Sequence, residues 1–424
     1  MSKKNSLRCM LIFVLIVLSL GVFAKKNVIL MIGDGMGMNT IKMAQDYYGE
    51  KFIFNDFPVK YFVSTYQENN SYDPNKAWKD AYASNPVPDW EYLSAATDSA
   101  ASATAFNSGK KTFNGALNMN ALGDKYTTVA MAAKKAGYRV GDITTVTWNH
   151  ATPAAVFAHN NSRGDSYGIS REMIEAGIAD VIGGAGHPWF DGNGIKKDNP
   201  SYGMVEEELW INLEKGKTDY KLISSKAEIE KIAKSANAKG KYIITYEADG
   251  VLPLPDENNK KTVPTLSLVS KAMLNVLNNN SDKGFFAMIE GGAIDYANHA
   301  NDAATSVRQM KEFADAIKTV VNWVEDNSNW DDTLLIITAD HETGQLGNSE
   351  GSFWVIDNGK GNLPKYKYNS GGHSNMLVPL FAKGGNSESF SVFATKADPV
   401  YGKYINNINI PAIEASFLGV DLGK

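Results

Sequence analysis

The chain has 424 residues, 43% of them hydrophobic and 21% charged, which is ordinary for a protein with a large buried core. Its formal net charge of −5 gives no electrostatic reason to expect nucleic acid or an anionic membrane as a partner. The single cysteine, Cys9, lies near the N-terminus, so disulfides and thiolate metal ligands are excluded from the rest of the chain.

Residues 1–24 have the pattern of a signal peptide. Basic residues precede an apolar run over residues 10–20, and residues 22–24 end in the small residue that a signal peptidase requires. The run is too short to span a membrane comfortably, although an uncleaved anchor is the alternative. We therefore expect a periplasmic or secreted protein with no stable membrane anchor after cleavage.

Apolar runs alternate with amphipathic stretches after residue 24. The apolar runs predict buried strands over residues 27–32, 139–146, 241–245, 285–289 and 333–338. The amphipathic stretches predict helices over residues 36–48, 127–136, 225–235, 265–277 and 303–324. This alternation favours an α/β fold with a large, mostly parallel central sheet and helices on both faces.

Residues 25–424 are expected to form a single α/β domain. Some segments are rich in Gly, Pro, Asn and Asp and have little periodicity, which is typical of loops. They predict insertions near residues 67–93, 189–262 and 344–372, placed at the rim of the site.

Carboxylate and imidazole side chains occur in pairs. Asp295 and His299 are four residues apart, which places both on one face of a helix, and Asp340 and His341 directly follow an apolar run. With Asp34 and His373 they supply enough ligands for two divalent metal ions, and the residue types suggest zinc.

Three acidic residues come at or just after the ends of predicted strands. These are Asp34, Glu290 and Asp340. In open α/β sheets, sites are built at the carboxyl ends of the strands. The sequence therefore predicts a hydrolytic metal site at this edge.

Residues 96–105 are small and polar. Thr97 or Asp98 is placed to cap a helix, and Ser99 falls in the first turn, where backbone N–H groups stabilise an anion or alkoxide. Taken alone, the stretch is better explained as a capped helix whose small residues allow close packing. No histidine-based triad is evident around Ser99, so a metal would have to activate its hydroxyl.

Six motifs in series resemble the alkaline phosphatase family. They occupy residues 32–37, 97–104, 150–163, 290–299, 338–341 and 371–374 and span most of the chain after residue 24. The resemblance implies ligands for two zinc ions and one magnesium ion. The first zinc would be held by Asp295, His299 and His373, the second by Asp34, Asp340 and His341, and the magnesium by Asp34, Thr152 and Glu290.

The resemblance also implies an activity. Ser99 would be the nucleophile that forms a phosphoserine, and Arg163 would bind two phosphoryl oxygens bidentately. The expected reaction is hydrolysis of small-molecule phosphate monoesters with release of inorganic phosphate, faster at alkaline pH. A homodimer is implied by analogy alone.

Two residues depart from the pattern of some relatives. His150 stands where some bacterial relatives carry Asp, which leaves the identity of the third metal open. Tyr296 follows Asp295 where relatives carry Lys, His or Trp, and a tyrosine adds no positive charge. We expect both to surround the metals and the phosphate.

Alternative functions share part of this residue set. A phosphodiesterase of the same superfamily would use the same zinc ligands, and a non-catalytic exported phosphate- or metal-binding protein would need no nucleophile at Ser99. A sulfatase requires a Cys/Ser-x-Pro-x-Arg motif, which the Ser99 stretch lacks.

Overall fold

A computed structural model of the chain describes residues 25–256 and 261–423. The predicted signal peptide, residues 1–24, lies outside the described residues. Among the residues that are described, no helix is both long enough and apolar enough to cross a membrane.

Strands and helices alternate along the chain. The strands are β1 Lys26–Gly33, β2 Val59–Ser64, β3 Trp78–Asp80, β4 Val87–Pro88, β5 Arg139–Thr147, β6 Val181–Ala185, β7 Tyr220–Ile223, β8 Lys241–Thr245, β9 Gly284–Gly291, β10 Thr333–Thr338, β11 Glu342–Thr343, β12 Leu346–Gly347, β13 Lys367–Tyr368, β14 His373–Ser374, β15 Val378–Gly384, β16 Lys396–Asp398 and β17 Gly402–Asn406. The helices are α1 Met38–Tyr48, α2 Trp90–Leu93, α3 Ser99–Ser108, α4 Val129–Lys135, α5 Ala151–Phe157, α6 Ser166–Glu175, α7 Glu207–Glu214, α8 Lys226–Lys234, α9 Leu266–Asn279, α10 Ala293–His299, α11 Ala303–Asn327 and α12 Ile410–Leu418, with short 3-10 helices at Ile53–Asp56, Ser387–Val392 and Asn407–Asn409.

The central sheet of the described residues has eleven strands, in the order β16-β17-β2-β15-β10-β1-β9-β5-β6-β8-β7. The seven strands from β10 to β7 are all parallel to one another, whereas β15 is antiparallel to both β10 and β2. The predicted α/β fold with a mostly parallel sheet is confirmed. All five predicted strands and all five predicted helices are present, with ends that differ by at most three residues.

The middle strands are apolar because helices bury both faces of the sheet. In β1, seven of eight residues are buried, and β9 is buried throughout, as expected for parallel strands inside a sheet. Helices α8, α9 and α11 pack together, and α3, α4, α5 and α12 form a second group. Both groups contact β9, so that helices lie on either side of the sheet.

Residues 189–262 were expected to form an insertion, but they are not all rim. Strands β7 and β8, within this range, form one edge of the central sheet, parallel to each other and to β6. The segment from β7 to β8 therefore belongs to the framework. The sequence contains little sign of β7 because the strand has only four residues; it is the outermost strand, with one residue exposed and two half-buried.

A second hydrophobic cluster lies beneath the rim. It joins residues of the predicted insertions near 67–93 and 344–372 to β17, and it is largely aromatic. At its edge Asp398 accepts hydrogen bonds from the Tyr72 hydroxyl (2.7 Å) and from the Trp78 indole N–H (3.0 Å). These two insertions therefore pack together as one structured cap.

Candidate metal centre and nucleophile

Three carboxylates meet at the carboxyl edge of the sheet. Asp34 follows β1, Glu290 lies near the end of β9, and Asp340 follows β10. The strand register aligns these ends, since Ile32 is opposite both Glu290 and Thr338. All three carboxylates are fully buried. The predicted clustering of acidic residues at this edge is present.

Several buried polar atoms at this edge have no hydrogen-bond partner. They are both carboxylate oxygens of Asp34, Oε1 of Glu290, Oδ2 of Asp340, the hydroxyl of Thr152 and Nδ1 of His150. Buried polar groups are almost always hydrogen-bonded, so a convergent set of unpaired oxygens and a nitrogen needs an explanation. Bound cations would satisfy the oxygens, because carboxylate and hydroxyl groups are metal ligands.

The donor atoms form three groups, in each of which they lie within 4.8 Å of one another. The groups are Asp295, His341 and His373; Asp34, Asp340 and His341; and Asp34, His150 and Glu290. Asp34 and His341 are each shared between two groups. The residue types and their convergence fit a site for more than one divalent cation.

His299 and His373 point their Nε2 atoms at each other, 3.0 Å apart. Their Nδ1 atoms lie 2.5 Å and 2.9 Å from the carbonyl oxygens of Gly371 and Thr97. Donation from Nδ1–H to a carbonyl leaves the Nε2 lone pair for a metal, which is how metal-binding histidines are usually oriented. Asp295 joins this pair, with its Oδ2 3.1 Å from His299 Nε2.

The two histidines of this pair differ in pKa. The hydrogen bond to Asp295 raises the pKa of His299 to about 9, whereas burial lowers the pKa of His373 to about 4. Without a metal, one proton therefore resides on His299 at neutral pH. A divalent cation would displace it, since only the unprotonated nitrogen is a ligand.

His341 belongs to two of the donor groups and also lies close to Ser99. Its ring stacks on that of His373, with centroids 3.5 Å apart, and its Nε2 is 3.0 Å from Asp340 Oδ2 and 3.6 Å from Asp34 Oδ1. The same Nε2 atom is 3.3 Å from Ser99 Oγ. The nucleophile candidate thus faces the donor atoms that would bind a metal.

Thr343 is a site residue that the sequence argument missed. Its hydroxyl donates to Asp295 Oδ1 (2.5 Å) and lies 3.2 Å from His341 Nδ1. Because the single hydroxyl proton goes to Asp295, Nδ1–H of His341 is the donor to Thr343, which frees Nε2 for a ligand role. Thr343 follows the motif at residues 338–341 by two positions, but only the fold shows that it bridges Asp295 and His341.

Ser99 is the first residue of α3, as predicted. Asp98 is the cap, because its side chain accepts from the Ala101 backbone N–H. Ser99 is 2% exposed, and the dipole of α3 places partial positive charge at its hydroxyl.

Arg163 is oriented by two side chains. One terminal nitrogen donates to Asp98 Oδ2 (3.1 Å) and the other to His150 Nε2 (2.9 Å). Asp98 also accepts from Gly115 N–H (3.0 Å), so the carboxylate is itself fixed. These contacts hold the guanidinium beside the nucleophile helix, since Asp98 directly precedes Ser99. Asp98 was one of the two cap candidates named from the sequence, but its contact with Arg163 was not predicted.

His150 belongs to the third donor group and also contacts Arg163. Burial and the positive charge of Arg163 lower the pKa of His150 to about 4, so the imidazole is neutral at physiological pH. The Thr144 hydroxyl donates to Oε2 of Glu290, the oxygen that is not among the unpaired atoms. Tyr296, 41% exposed, packs edge-to-face against His150 with ring centroids 6.0 Å apart. His150 thus belongs to the third donor group and Tyr296 contacts it, while the roles expected for both from the sequence stay predictions.

Electrostatics disfavour this cluster in the absence of cations. Burial and the nearby carboxylates of Asp340, Asp295 and Glu290 raise the pKa of Asp34 well above its ordinary value. Burial likewise raises the pKa of Glu290 to about 7. Carboxylates that repel one another in a buried site are stabilised by positive charge.

The two remaining histidines of the chain have structural contacts. His159 Nδ1 lies 2.9 Å from Glu172 Oε1, and its Nε2 lies 2.9 Å from the carbonyl oxygen of Tyr126. His187 packs against the rings of Phe190 and Trp210. Neither takes part in the three donor groups.

Fold and site together define a class, an α/β protein in which buried carboxylates and imidazoles converge beside a helix-borne serine. A family model described as alkaline phosphatase matches residues 25–358. The chain belongs to the alkaline phosphatase family.

Individual relatives are distant. Alkaline phosphatase 4 of Bacillus subtilis is 30% identical over 333 residues, which are 75% of this chain and 62% of that protein. The chain thus spans less than two thirds of that relative's length. A cold-active alkaline phosphatase from a psychrophilic Shewanella species has 25% identity and a TM-score of 0.69, with 92% of this chain and 99% of that chain covered.

A further solved structure has a similar fold. It is a histidine-to-aspartate variant of the TAB5 alkaline phosphatase with Mg bound in the M3 site. Its TM-score is 0.66 at 24% identity, with 94% of this chain and 99% of that chain covered.

Proposed function

We propose that the protein is an exported alkaline phosphatase that hydrolyses small-molecule phosphate monoesters through a phosphoserine on Ser99. The observation that carries this proposal is the position of Ser99. Its hydroxyl begins α3, faces His341 Nε2 at 3.3 Å, and lies beside an arginine held by Asp98. A non-catalytic phosphate-binding protein would have no use for a nucleophile at that point.

The donor groups fit three cations. Asp295, His299 and His373 would bind one zinc ion, with His341 bordering that group. Asp34, Asp340 and His341 would bind a second, and Asp34, Glu290 and Thr152 a third ion, magnesium. When bound, such ions supply Lewis-acid stabilisation of the attacking and leaving oxygens of a phosphoryl transfer.

The side chains of the chain account for the rest of the reaction. The Ser99 hydroxyl loses its proton to solvent as its oxygen bonds to phosphorus, while the bond from phosphorus to the ester oxygen breaks and that oxygen takes a proton from solvent. Water then attacks the phosphoserine and gives up a proton, the bond between Ser99 Oγ and phosphorus breaks, and Ser99 Oγ is reprotonated as inorganic phosphate leaves. Arg163 binds two non-bridging oxygens, and its fork is pre-oriented by Asp98 and His150.

The affinity of the third group for magnesium depends on His150. His150 offers a neutral nitrogen where a carboxylate would suit magnesium better, and Arg163 already occupies its Nε2. The TAB5 variant with Mg in its M3 site carries aspartate in place of a histidine. By analogy, we propose that magnesium binds weakly in this chain and that a carboxylate at position 150 would strengthen it.

Export and assembly remain proposals. The basic and apolar pattern of residues 1–24 supports a signal peptide and a periplasmic or secreted protein. A homodimer is proposed on family analogy alone.

The test is a side-by-side assay of a phosphate monoester and a diester on signal-free protein loaded with zinc and magnesium. We expect turnover of the monoester to be strongly preferred, to be abolished by chelation and to be restored by the two metals. Ser99→Ala should remove the phosphoenzyme trapped at acid pH and most turnover. Preference for the diester would support a phosphodiesterase, and retained phosphoserine labelling in the variant would exclude Ser99.

A further inference from the structure

A chain of hydrogen bonds runs from Lys111 to the backbone of Asp340. Lys111 Nζ donates to Asn407 Oδ1 (2.7 Å), and Asn407 Nδ2 donates to Ser102 Oγ (3.2 Å). Ser102 Oγ then donates to the Asp340 carbonyl oxygen (2.6 Å). Ser102 and Asn407 are each 1% exposed. None of these three side chains belongs to the donor groups described above.

The direction of this chain is fixed at every step. A backbone carbonyl can only accept, so Ser102 must donate its proton to Asp340. The Ser102 oxygen then accepts from the amide nitrogen of Asn407, which leaves the amide oxygen of Asn407 facing Lys111. Hydrogen bonds aligned in one direction polarise and strengthen one another.

Lys111 is an unusual anchor. Its ammonium also donates to the Tyr66 carbonyl (2.5 Å) and lies 4.1 Å from the centroid of the Tyr66 ring. Across residues 25–256 and 261–423 no carboxylate pairs with it, and burial lowers its pKa to about 7. Lys111 therefore donates to two neutral oxygens, and its part in this hydrogen-bond chain is to hold the amide oxygen of Asn407.

This chain of hydrogen bonds ends where Ser99 lies beside the donor groups. Ser102 lies one turn after Ser99 on α3, and Asp340 directly precedes His341, whose Nε2 is 3.3 Å from Ser99 Oγ. The side-chain Oδ1 of Asp340 accepts from the Gly35 backbone N–H (3.0 Å). A tie between Ser102 and the Asp340 backbone therefore limits how far Ser99 can move from His341.

We propose that Ser102, Asn407 and Lys111 are positioning residues, which together fix the first turn of α3 against the Asp340 backbone. The kinetic consequence rests on the proposed phosphoserine reaction. The structural consequence does not, because it concerns the mobility of α3 and of the segment around Asp340 and can be measured without turnover.

The test compares Ser102→Ala, Asn407→Leu and their combination in protein loaded with zinc and magnesium. Each single variant should lower kcat about tenfold with KM within about twofold and unchanged zinc content. The double variant should be no slower than the slower single variant, because one broken link already removes the tie. Losses that multiply, or kcat values equal to that of the parent, would overturn the proposal.

Ser108→Ala is the matched control. Ser108 is on the same helix, is also buried, and also donates to a carbonyl, that of Thr104 (2.7 Å), but it is not connected to the chain. It should leave kcat unchanged. If Ser102→Ala does not fold, Asn407→Leu and Lys111→Met break the same chain at sites outside α3. An equal loss of kcat in Ser108→Ala would show a general effect of disturbing α3.

Hydrogen exchange separates this proposal from the proposed function. Amides of residues 97–106 and 336–344 should exchange at least several-fold faster in Asn407→Leu than in the parent or in Ser108→Ala. An inactive parent with this exchange pattern would contradict the phosphatase function alone. An active parent with unchanged exchange in Asn407→Leu would contradict the positioning role alone.

Discussion

Glu290→Gln tests whether cations hold the buried carboxylates together. In metal-free protein, burial raises the pKa of Glu290 from 4.5 to about 7, and the Thr144 hydroxyl donates to one of its oxygens. Gln has the shape of the protonated acid, and its amide oxygen can accept the same bond from Thr144. The substitution therefore removes the titration while keeping the packing.

The raised pKa of Glu290 sets the direction in which stability changes with pH. Stability from a carboxyl with a raised folded-state pKa is fully present below its unfolded value of 4.5 and is lost as the pH rises through about 7. The gap between these values corresponds to about 3 kcal/mol. Because Gln does not titrate, the chelated variant should gain about 3 kcal/mol over the chelated parent between pH 4.5 and about pH 8. That is roughly 4 °C in Tm for a protein of this size.

Metal loading should reverse the order. The Glu290 carboxylate would then be a ligand, and Gln would remove its charge from the third group, so the loaded variant should melt below the loaded parent. Thermal unfolding followed by circular dichroism, with and without chelator at several pH values, measures both effects. Parallel pH profiles for parent and variant in chelator, or the same order with and without metals, would refute the reasoning.

Three further substitutions test other parts of the molecule. Arg163→Ala should lower kcat/KM for monoesters by about 30- to 1,000-fold, from a charged bidentate contact of about 2–4 kcal/mol, and affect diesters much less; equal losses would argue against a monoester site. His150→Asp should tighten magnesium binding in a titration at fixed zinc, because a carboxylate replaces a neutral imidazole, and unchanged binding would place His150 away from the third ion. Glu414 in α12 is fully buried, neither carboxyl oxygen has a partner, and burial raises its pKa. The stability that protonated Glu414 provides should therefore be lost as the pH rises. In urea unfolding, the free energy of unfolding of Glu414→Gln relative to the parent should be higher at pH 9 than at pH 5. The same difference at both pH values would contradict this.

The insertion boundaries show where local patterns lose information. The sequence predicts a strand over residues 241–245 from their apolar, β-branched character, and four of the five are buried. It does not predict β7, because four residues, Tyr-Lys-Leu-Ile, are too few to show a periodic pattern, and the pairing of this strand with β8 is set by the rest of the sheet. The extent of the insertion near residues 189–262 was therefore overestimated.

The sequence alone determined the α/β alternation, the strands that carry Asp34, Glu290 and Asp340, and the helix that begins at Ser99. Those features follow from hydrophobic periodicity, capping residues and motif spacing, which are local properties of the chain. They also sufficed to name the residue types able to bind metals, whereas the role of Ser99 as phosphoryl carrier came from the family resemblance and stays a prediction.

Only the tertiary structure decided which side chains orient that site. Thr343 between Asp295 and His341, Asp98 against Arg163, and Asn407 behind Ser102 are contacts between residues up to 305 positions apart. Hydroxyl and amide groups of this kind have no periodic signal, because their role depends on a partner brought near by strand order and helix packing. The register of β1 with β9 and β10, rather than any local motif, is what brings the donor groups together.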